Sequence, residues 1–447
     1  MKTINLAIIG AGGYGDYCLG LLERFVDPES YRLVAAIDPF YEKIPRYTQL
    51  TAQGVPMYRT PEEFFAASSA ELVLIASPIH LHKEQCLLAL RHGAHVLCEK
   101  PLAPILQDAL DIRAAVSASG RKLGVGFQMS FCDPIQNLKR DIQAGLLGAP
   151  KSLRTYVSWQ RYDSYYNSPW RGHIQDAQGH WVLDSILTNA TAHYLHNTCF
   201  VLGDRFDTAA MPQSLAVELY NGKGIETFDT AFVSGKFASG CDFFLALTHS
   251  GDRNVDPILQ YTFEHAVVTA SGNDDSAEII ATFDDGSTKN YGAALGEYHV
   301  AQKLRTMIAV AADPSVEVPC TPDTVLPHLT MCNAIFDQAD VYPLPAWSTF
   351  PRRNPVCLCA AWPTMPGPAF KPGNCLPNAV LTGRIARPTS DWKGIMLFPA
   401  NDSAKKRRYT YDSYLHCRKL RPCSHRHPRT PPFAASGNCR LVPHVDR

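Results

Sequence analysis

The sequence predicts an N-terminal α/β domain built on a doubly wound parallel sheet, followed by an α+β domain on a mostly antiparallel sheet. Three observations carry this. Short, continuously apolar runs alternate with helical segments over the first 128 residues, as in a parallel sheet covered on both faces. A glycine-rich turn joins the first run to the first helix. From about Met129 the apolar runs turn into alternating segments, the pattern of an antiparallel sheet.

The elements follow in order. Residues 4–9 form an apolar run ending in glycines, and a helix is predicted over 14–25. Residues 31–37 are a second run, closed by Asp38 and Pro39. Thr60-Pro61-Glu62-Glu63 reads as a helix start: a Thr cap, Pro at the first helical position, and Glu three residues after the cap. Residues 71–76 are β-like, 80–92 helical with Gly93 as the stop, 94–98 a strand, 103–119 a helix and 123–127 a strand. In the second half a helix over 133–144 leads into the β-rich 153–162, and a long helix is predicted over 185–202. Alternating segments follow at 230–237, 242–248, 261–264, 266–271 and 278–283, with Asp284-Asp285-Gly286 as a hairpin turn. Helices over 301–312 and 329–338 close this part. The implied division is 1–128, 129–345 and 346–447.

The chain has 447 residues, enough for two or three domains, with 46% hydrophobic and 19% charged residues. No apolar run approaches the ~20 residues of a membrane span. The N-terminus lacks the basic, apolar and cleavage regions of a signal peptide, which predicts a cytoplasmic protein. Of 14 cysteines, the eight before residue 345 (Cys18, Cys86, Cys98, Cys132, Cys199, Cys241, Cys320 and Cys332) are scattered with no CxxC spacing and read as reduced, buried thiols. The zero net charge hides an asymmetry. Residues 346–447 carry 17 Lys and Arg against 4 Asp and Glu, with 14 of the 33 prolines and six cysteines. Composition, charge and periodicity change together there, the mark of a disordered basic tail or of an out-of-frame stretch. His416, Cys417, Cys423, His425 and His427 in this tail match no usual zinc spacing, and no metal site is expected. Nucleic-acid binding would rest on the tail alone and would be salt-sensitive.

Gly10-Ala11-Gly12-Gly13-Tyr14-Gly15 fits G-x-G-x-x-G between a strand and a helix, with Asp38 at the end of the next strand, 23 residues after Gly15. Gly10 permits the tight turn, Gly12 lets the backbone approach a pyrophosphate, and Gly15 permits close helix–strand packing. The helix N-terminus offers free N–H groups and positive dipole to phosphates. The Asp38 carboxylate suits a ribose 2′-hydroxyl and repels a 2′-phosphate, so NAD is the expected cofactor. NADP is the alternative that Lys43 or Arg46 would favour.

Further residues give the pattern a family. Glu99-Lys100-Pro101 follows a strand and precedes a helix; Ser77-Pro78 stands at another strand end, with His82 on the helix after it. Gln128 ends the strand 123–127, Trp170-Arg171-Gly172 follows later, and Asn189 and His193 lie within the helix predicted over 185–202. Together these resemble the glucose–fructose oxidoreductase / inositol dehydrogenase / rhizopine catabolism (Gfo/Idh/MocA) family over residues 1–345. The resemblance implies an NAD(P)-binding Rossmann domain over 1–128, a substrate and oligomerisation domain over 129–345, and a homo-dimer or tetramer. It implies hydride transfer between a nicotinamide and a secondary hydroxyl of a sugar, sugar derivative or cyclitol. It assigns Lys100 and His193 to proton handling and Trp170, Arg171 and Asn189 to the substrate. Gly10, Gly12, Gly13, Tyr14, Gly15, Asp38, Ser77, Pro78, His82, Glu99, Lys100 and Gln128 fall to the cofactor. Pro101 after Lys100 is a candidate for a cis bond.

Lys100 near a cationic nicotinamide should have a lowered pKa and serve as a proton shuttle. His193 has an unperturbed pKa near ~6.5, suited to acid/base work. Dehydrogenases of the family often carry Asp-x-x-x-His where this chain has Asn189-Ala190-Thr191-Ala192-His193. Asn hydrogen-bonds a hydroxyl but accepts no proton. Asp184, on a continuous helix, would face away from His193. His196 is expected to be structural, and His80 and His82, two apart, not to share a metal. Tyr162, Tyr165, Tyr166, Trp170 and Arg171 form an aromatic and guanidinium cluster of the kind that binds sugar rings. Two other functions compete: an NAD-dependent glycoside hydrolase with no net redox change, and a non-catalytic dinucleotide-binding regulator.

Overall fold

A computed structural model describes residues 2–344; the predictions made for the basic tail, including its disorder and its His/Cys cluster, lie outside the described residues. The first half runs β1 (Ile4–Ile9), α1 (Tyr14–Phe25), β2 (Tyr31–Ile37), α2 (Tyr47–Ala52), β3 (Met57–Tyr58), α3 (Pro61–Ala67), β4 (Leu72–Ile75), α4 (His82–Arg91), β5 (His95–Cys98), α5 (Leu106–Ser119) and β6 (Leu123–Val125). The strands form one parallel sheet in the order β3-β2-β1-β4-β5-β6. The order reverses between β1 and β4, the crevice where such sheets bind ligands. Burial explains the apolar runs: every residue of β4, β5 and β6 is buried. The Thr60 hydroxyl accepts the Glu63 N–H, and the Glu63 side chain accepts the Thr60 N–H, the reciprocal cap predicted for α3.

The second half runs α6 (Asp133–Gln143), β7 (Pro150–Ser158), α7 (Asp163–Tyr166), α8 (Ala192–Phe200), β8 (Pro212–Asn221), β9 (Thr230–Phe237), β10 (Asp242–Thr248), β11 (Val255–Phe263), β12 (Ala266–Ser271), β13 (Glu278–Phe283) and β14 (Thr288–Ala293). It ends with α9 (Glu297–Val300), α10 (Gln302–Ala312), α11 (Pro322–Gln338) and β15 (Val341–Pro343). Nine strands form a mixed sheet, β14-β13-β12-β11-β7-β10-β9-β8-β15. It is antiparallel except where β7 pairs with β10 and β8 with β15. A second core gathers its buried face against Ile135, Leu138, Leu195, Phe200 and Met331.

Two departures from the expectation bear on function. The helices over 302–312 and 322–338 do not only close the second sheet. Leu304, Met307, Ile308, Val325 and Leu329 belong to the core of the parallel sheet, so the chain returns to the first core before its last strand, β15, joins the second sheet. The long helix predicted over 185–202 is also corrected: α8 begins only at Ala192. Leu183 has φ 49°, which takes it out of helical geometry. Local bonds then compete with the helix. Thr188 Oγ1 accepts the Ser185 N–H at 2.8 Å and donates to the Leu183 carbonyl at 2.8 Å. Thr191 Oγ1 donates to the Ile186 carbonyl at 2.6 Å.

Candidate functional site

The parallel register aligns four strand ends at one edge: Ile9 opposite Ile75, Ile75 opposite Cys98, and Cys98 opposite Val125. Gly10, Ser77, Glu99-Lys100 and Gln128 therefore leave the sheet on the same side. The glycine turn fits a dinucleotide. Gly10 and Gly13 have φ 83° and 52°, and a Cβ on Gly15 would lie 1.8 Å from the Gly10 carbonyl oxygen. A Cβ on Gly13 would meet nothing within 4 Å, which leaves room above the turn. Asp38 lies next to it: Oδ2 accepts the Gly12 N–H at 3.4 Å and Oδ1 the Phe40 N–H at 2.9 Å. The basic side chains nearby are engaged elsewhere. Arg46 pairs with Asp16 at 2.9 Å and Glu23 at 2.7 Å. Lys43 sits over the Phe40 ring at 5.6 Å, and Arg59 pairs with Glu42.

Ser77 Oγ donates to Gln85 Oε1 at 2.6 Å. Pro78 precedes a short turn that leads to His82. The His82 ring is buried between the carbonyl oxygens of Ser77 and Pro101, each at 2.9 Å. It thus braces the β4 end against the Lys100–Pro101 bond, which is cis. Gln128 opens a tight turn after β6.

The centre of the site is the end of β5. The Lys100 amine, carried from the first domain, donates to the Asn189 carbonyl of the second at 2.6 Å. Asn189 Nδ2 donates to Asp184 Oδ1 at 2.9 Å, and Asp184 Oδ2 accepts the Gly172 N–H at 2.6 Å. Asp184 was expected to face away; because the helix starts late, its carboxylate instead bonds the side chain of Asn189, whose carbonyl holds the amine, and attracts the amine through space. Burial drives the Lys100 pKa down to about 8, against the pull of Glu99 and Asp184 and with the push of Lys303. Burial likewise raises Asp184 to about 6, opposed by the Gly172 N–H, Asn189, Lys100 and Arg171. His193 stands edge-on to Phe127, ring centroids 5.7 Å apart, with Nδ1 buried and without a hydrogen-bond partner. Burial, then the Lys100 and Lys303 cations, hold its pKa well below the usual range, so it is neutral at neutral pH. His196 is buried, its Nε2 2.9 Å from Ser130 Oγ.

Sequence reasoning missed one residue. Lys303, from α10, is fully buried; its amine bonds Glu99 Oε1 at 2.5 Å and the Tyr14 hydroxyl at 3.0 Å. Glu99 Oε2 accepts the Lys100 N–H at 3.3 Å, and a Cβ on Gly126 would collide with that oxygen at 2.6 Å. Lys303 thus ties the glycine turn to the strand end that carries Lys100. A lysine 204 residues from its partner, in an otherwise ordinary helix, leaves no local signal.

A glycine turn at the switch point of a parallel sheet suits a dinucleotide, and a desolvated amine stands at the end of β5 on the same edge. Residues 4–127 match the model of the oxidoreductase family with an NAD-binding Rossmann fold. The match is confined to the parallel-sheet domain, which is similar to that Gfo/Idh/MocA family. The chain is similar to inositol 2-dehydrogenase 4 of Saccharopolyspora erythraea, 33% identical over 150 residues, 33% of this chain and 44% of the relative. It is also similar to 1,5-anhydro-D-fructose reductase of Ensifer adhaerens, 31% identical over 180 residues, 40% of this chain and 50% of the relative. The matched segment spans half or less of each relative's length. In fold it resembles the WlbA dehydrogenase from Bordetella pertussis, crystallised with NADH and UDP-GlcNAcA, with a TM-score of 0.61 at 20% identity over 76% of this chain and 96% of the other. Among the described residues no helix is long and apolar enough to cross a membrane.

Proposed function

We propose that the protein is an NAD-dependent dehydrogenase that moves a hydride between a nicotinamide and a secondary hydroxyl of a sugar, sugar derivative or cyclitol. One observation carries the reading: a buried lysine with its pKa at about 8 stands at the strand end beside the dinucleotide turn, joined through Asn189 to a buried carboxylate. The names of the similar proteins, an inositol dehydrogenase and a sugar reductase, support the substrate class.

The glycine turn and the start of α1 would hold the pyrophosphate, and Asp38 the ribose hydroxyls. When bound, the dinucleotide supplies the hydride acceptor. The chain's residues handle position and protons. Neutral Lys100 takes the proton of the reacting hydroxyl. Asp184, ionised above about 6, holds Asn189 and stabilises the resulting ammonium. His193, neutral, donates to or accepts from the substrate oxygen without carrying charge. Trp170 and Arg171 border the substrate. We assign the protein to the cytoplasm, in keeping with eight free, buried cysteines among the described residues, and to a homo-oligomer.

The reading is tested by screening polyols with NAD for reduced-nicotinamide absorbance across pH. Oxidation should rise with pH through about 8 as the Lys100 amine becomes neutral. A flat profile from pH ~6 to ~9 contradicts the role given to Lys100. Product formed with no net reduction of NAD favours the glycoside hydrolase, and dinucleotide binding without any product favours the regulator. NAD should bind more tightly than NADP by calorimetry. Asp38→Ser should narrow that gap by about tenfold or more, since it removes a charge that opposes a 2′-phosphate. An unchanged ratio would remove Asp38 from the cofactor site.

A further inference from the structure

Two arginines beside the reaction centre form no ion pair among the described residues. Arg161 follows β7, its N–H bonded to the His249 carbonyl at 3.1 Å. Arg171 immediately precedes Gly172, whose N–H Asp184 accepts. Both guanidiniums lie over one ring, that of Tyr165, at 5.2 and 4.6 Å from its centroid, and Arg171 lies 5.1 Å from the Trp170 ring as well. Their hydrogen bonds go to uncharged groups. Arg161 Nη1 donates to the Gln160 carbonyl at 3.1 Å, and the side chain also bonds the Tyr165 side chain. Arg171 Nη1 donates to the Tyr165 carbonyl at 3.4 Å, and its Nε is buried with no partner.

The two buried carboxylates that act on Tyr165 and Tyr166, Asp184 and Asp229, are already hydrogen-bonded. Asp184 is held by Gly172 and Asn189. Asp229 accepts the Gly222 and Lys223 N–H groups at 2.6 and 2.8 Å and the Thr230 hydroxyl at 2.9 Å. His249, 6.3 Å from the Tyr165 ring, is neutral, its pKa driven by burial to about 4. Two guanidiniums sharing one ring repel each other, and stacking offsets only part of that cost. Most of their five N–H donors each are uncommitted.

We propose that Arg161 and Arg171, clasping Tyr165, form the subsite for an anionic group, so that the substrate is a sugar or cyclitol bearing a carboxylate or a phosphate. This rests on the oxidoreductase reading above. The planar guanidinium fork matches both oxyanions. The subsite sits at one end of a bonded chain, Gly172 to Asp184 to Asn189, whose other end is the Lys100 amine. The proposed substrate would reach along this chain, its anion at the arginines and its reacting hydroxyl at the amine.

The test compares the full chain with NAD on matched substrates: glucose against glucuronate, gluconate and glucose 6-phosphate; galactose against galacturonate; myo-inositol against its monophosphate. In the wild type an anionic member should exceed its neutral partner in kcat/KM by about tenfold or more, mainly through KM, the size expected of a charge-assisted contact. The carboxylate and phosphate arms tell which anion is taken. Arg161→Gln and Arg171→Gln, each checked for native circular dichroism, should bring the ratio towards one. A purely structural role for the arginines would depress both members and preserve the ratio, and that result overturns the proposal. Equal or better use of the neutral sugars also overturns it while leaving the dehydrogenase standing. Binding of NAD with oxidation of no member removes both.

Discussion

Lys100→Met is expected to lower polyol-dependent reduction of NAD by about 10²–10⁴-fold, the usual contribution of a general base. Dinucleotide affinity should change little. Methionine keeps the length and apolar stem of the side chain, so the site stays filled. The variant loses the amine, its bond to the Asn189 carbonyl and its attraction to Asp184. His193 is a poor substitute, because burial and the surrounding cations hold it neutral and weakly basic. Asp184, with a pKa of about 6, is ionised at neutral pH but is occupied by Gly172 and Asn189. Steady-state kinetics and calorimetry on the same preparation separate the two effects. A loss of less than about tenfold would move the proton chemistry to another group.

Lys303→Met is expected to have the largest effect on stability, about 3–5 kcal/mol, by stranding the Glu99 carboxylate away from water. Glu99 is 5% exposed and Lys303 0%. The pair holds the Lys303 pKa well above its usual value, Glu99 overcoming the opposing effect of burial. Lys303→Met with Glu99→Gln removes both charges and should recover much of the loss, since an uncharged pair needs no counter-ion. Urea unfolding measures both. If the single variant were as stable as the parent, the pair would contribute nothing to holding α10 under the parallel sheet.

The fold was largely legible because each piece has a local cause. The runs 4–9 and 31–37 coincide with β1 and β2 since a doubly covered sheet demands unbroken apolar stretches. The Thr60 cap is a four-residue signal and appears as read. The hairpin at Asp284–Gly286 joins β13 to β14, with the Gly286 N–H on the Phe283 carbonyl at 2.9 Å. The helix expected from 185 failed because apolar spacing does not register the Leu183 twist or the Ser185–Thr188 bonds. That error hid Asp184, the carboxylate whose absence from position 189 stood out in the sequence. Lys303 was hidden for a different reason. Its partners Glu99 and Tyr14 lie in the other domain, and only the return of α10 to the first core brings them together.

The most direct test follows the hydrogen itself. The polyol giving the greatest reduced-nicotinamide absorbance is prepared with deuterium on the reacting carbon and turned over with NAD. One deuterium is expected on nicotinamide C4 of the product NADH, with a slowed rate if hydride transfer limits turnover. Deuterium lost to water, or retained in a product formed without net reduction of NAD, would contradict direct transfer from a secondary alcohol and with it the proposed function.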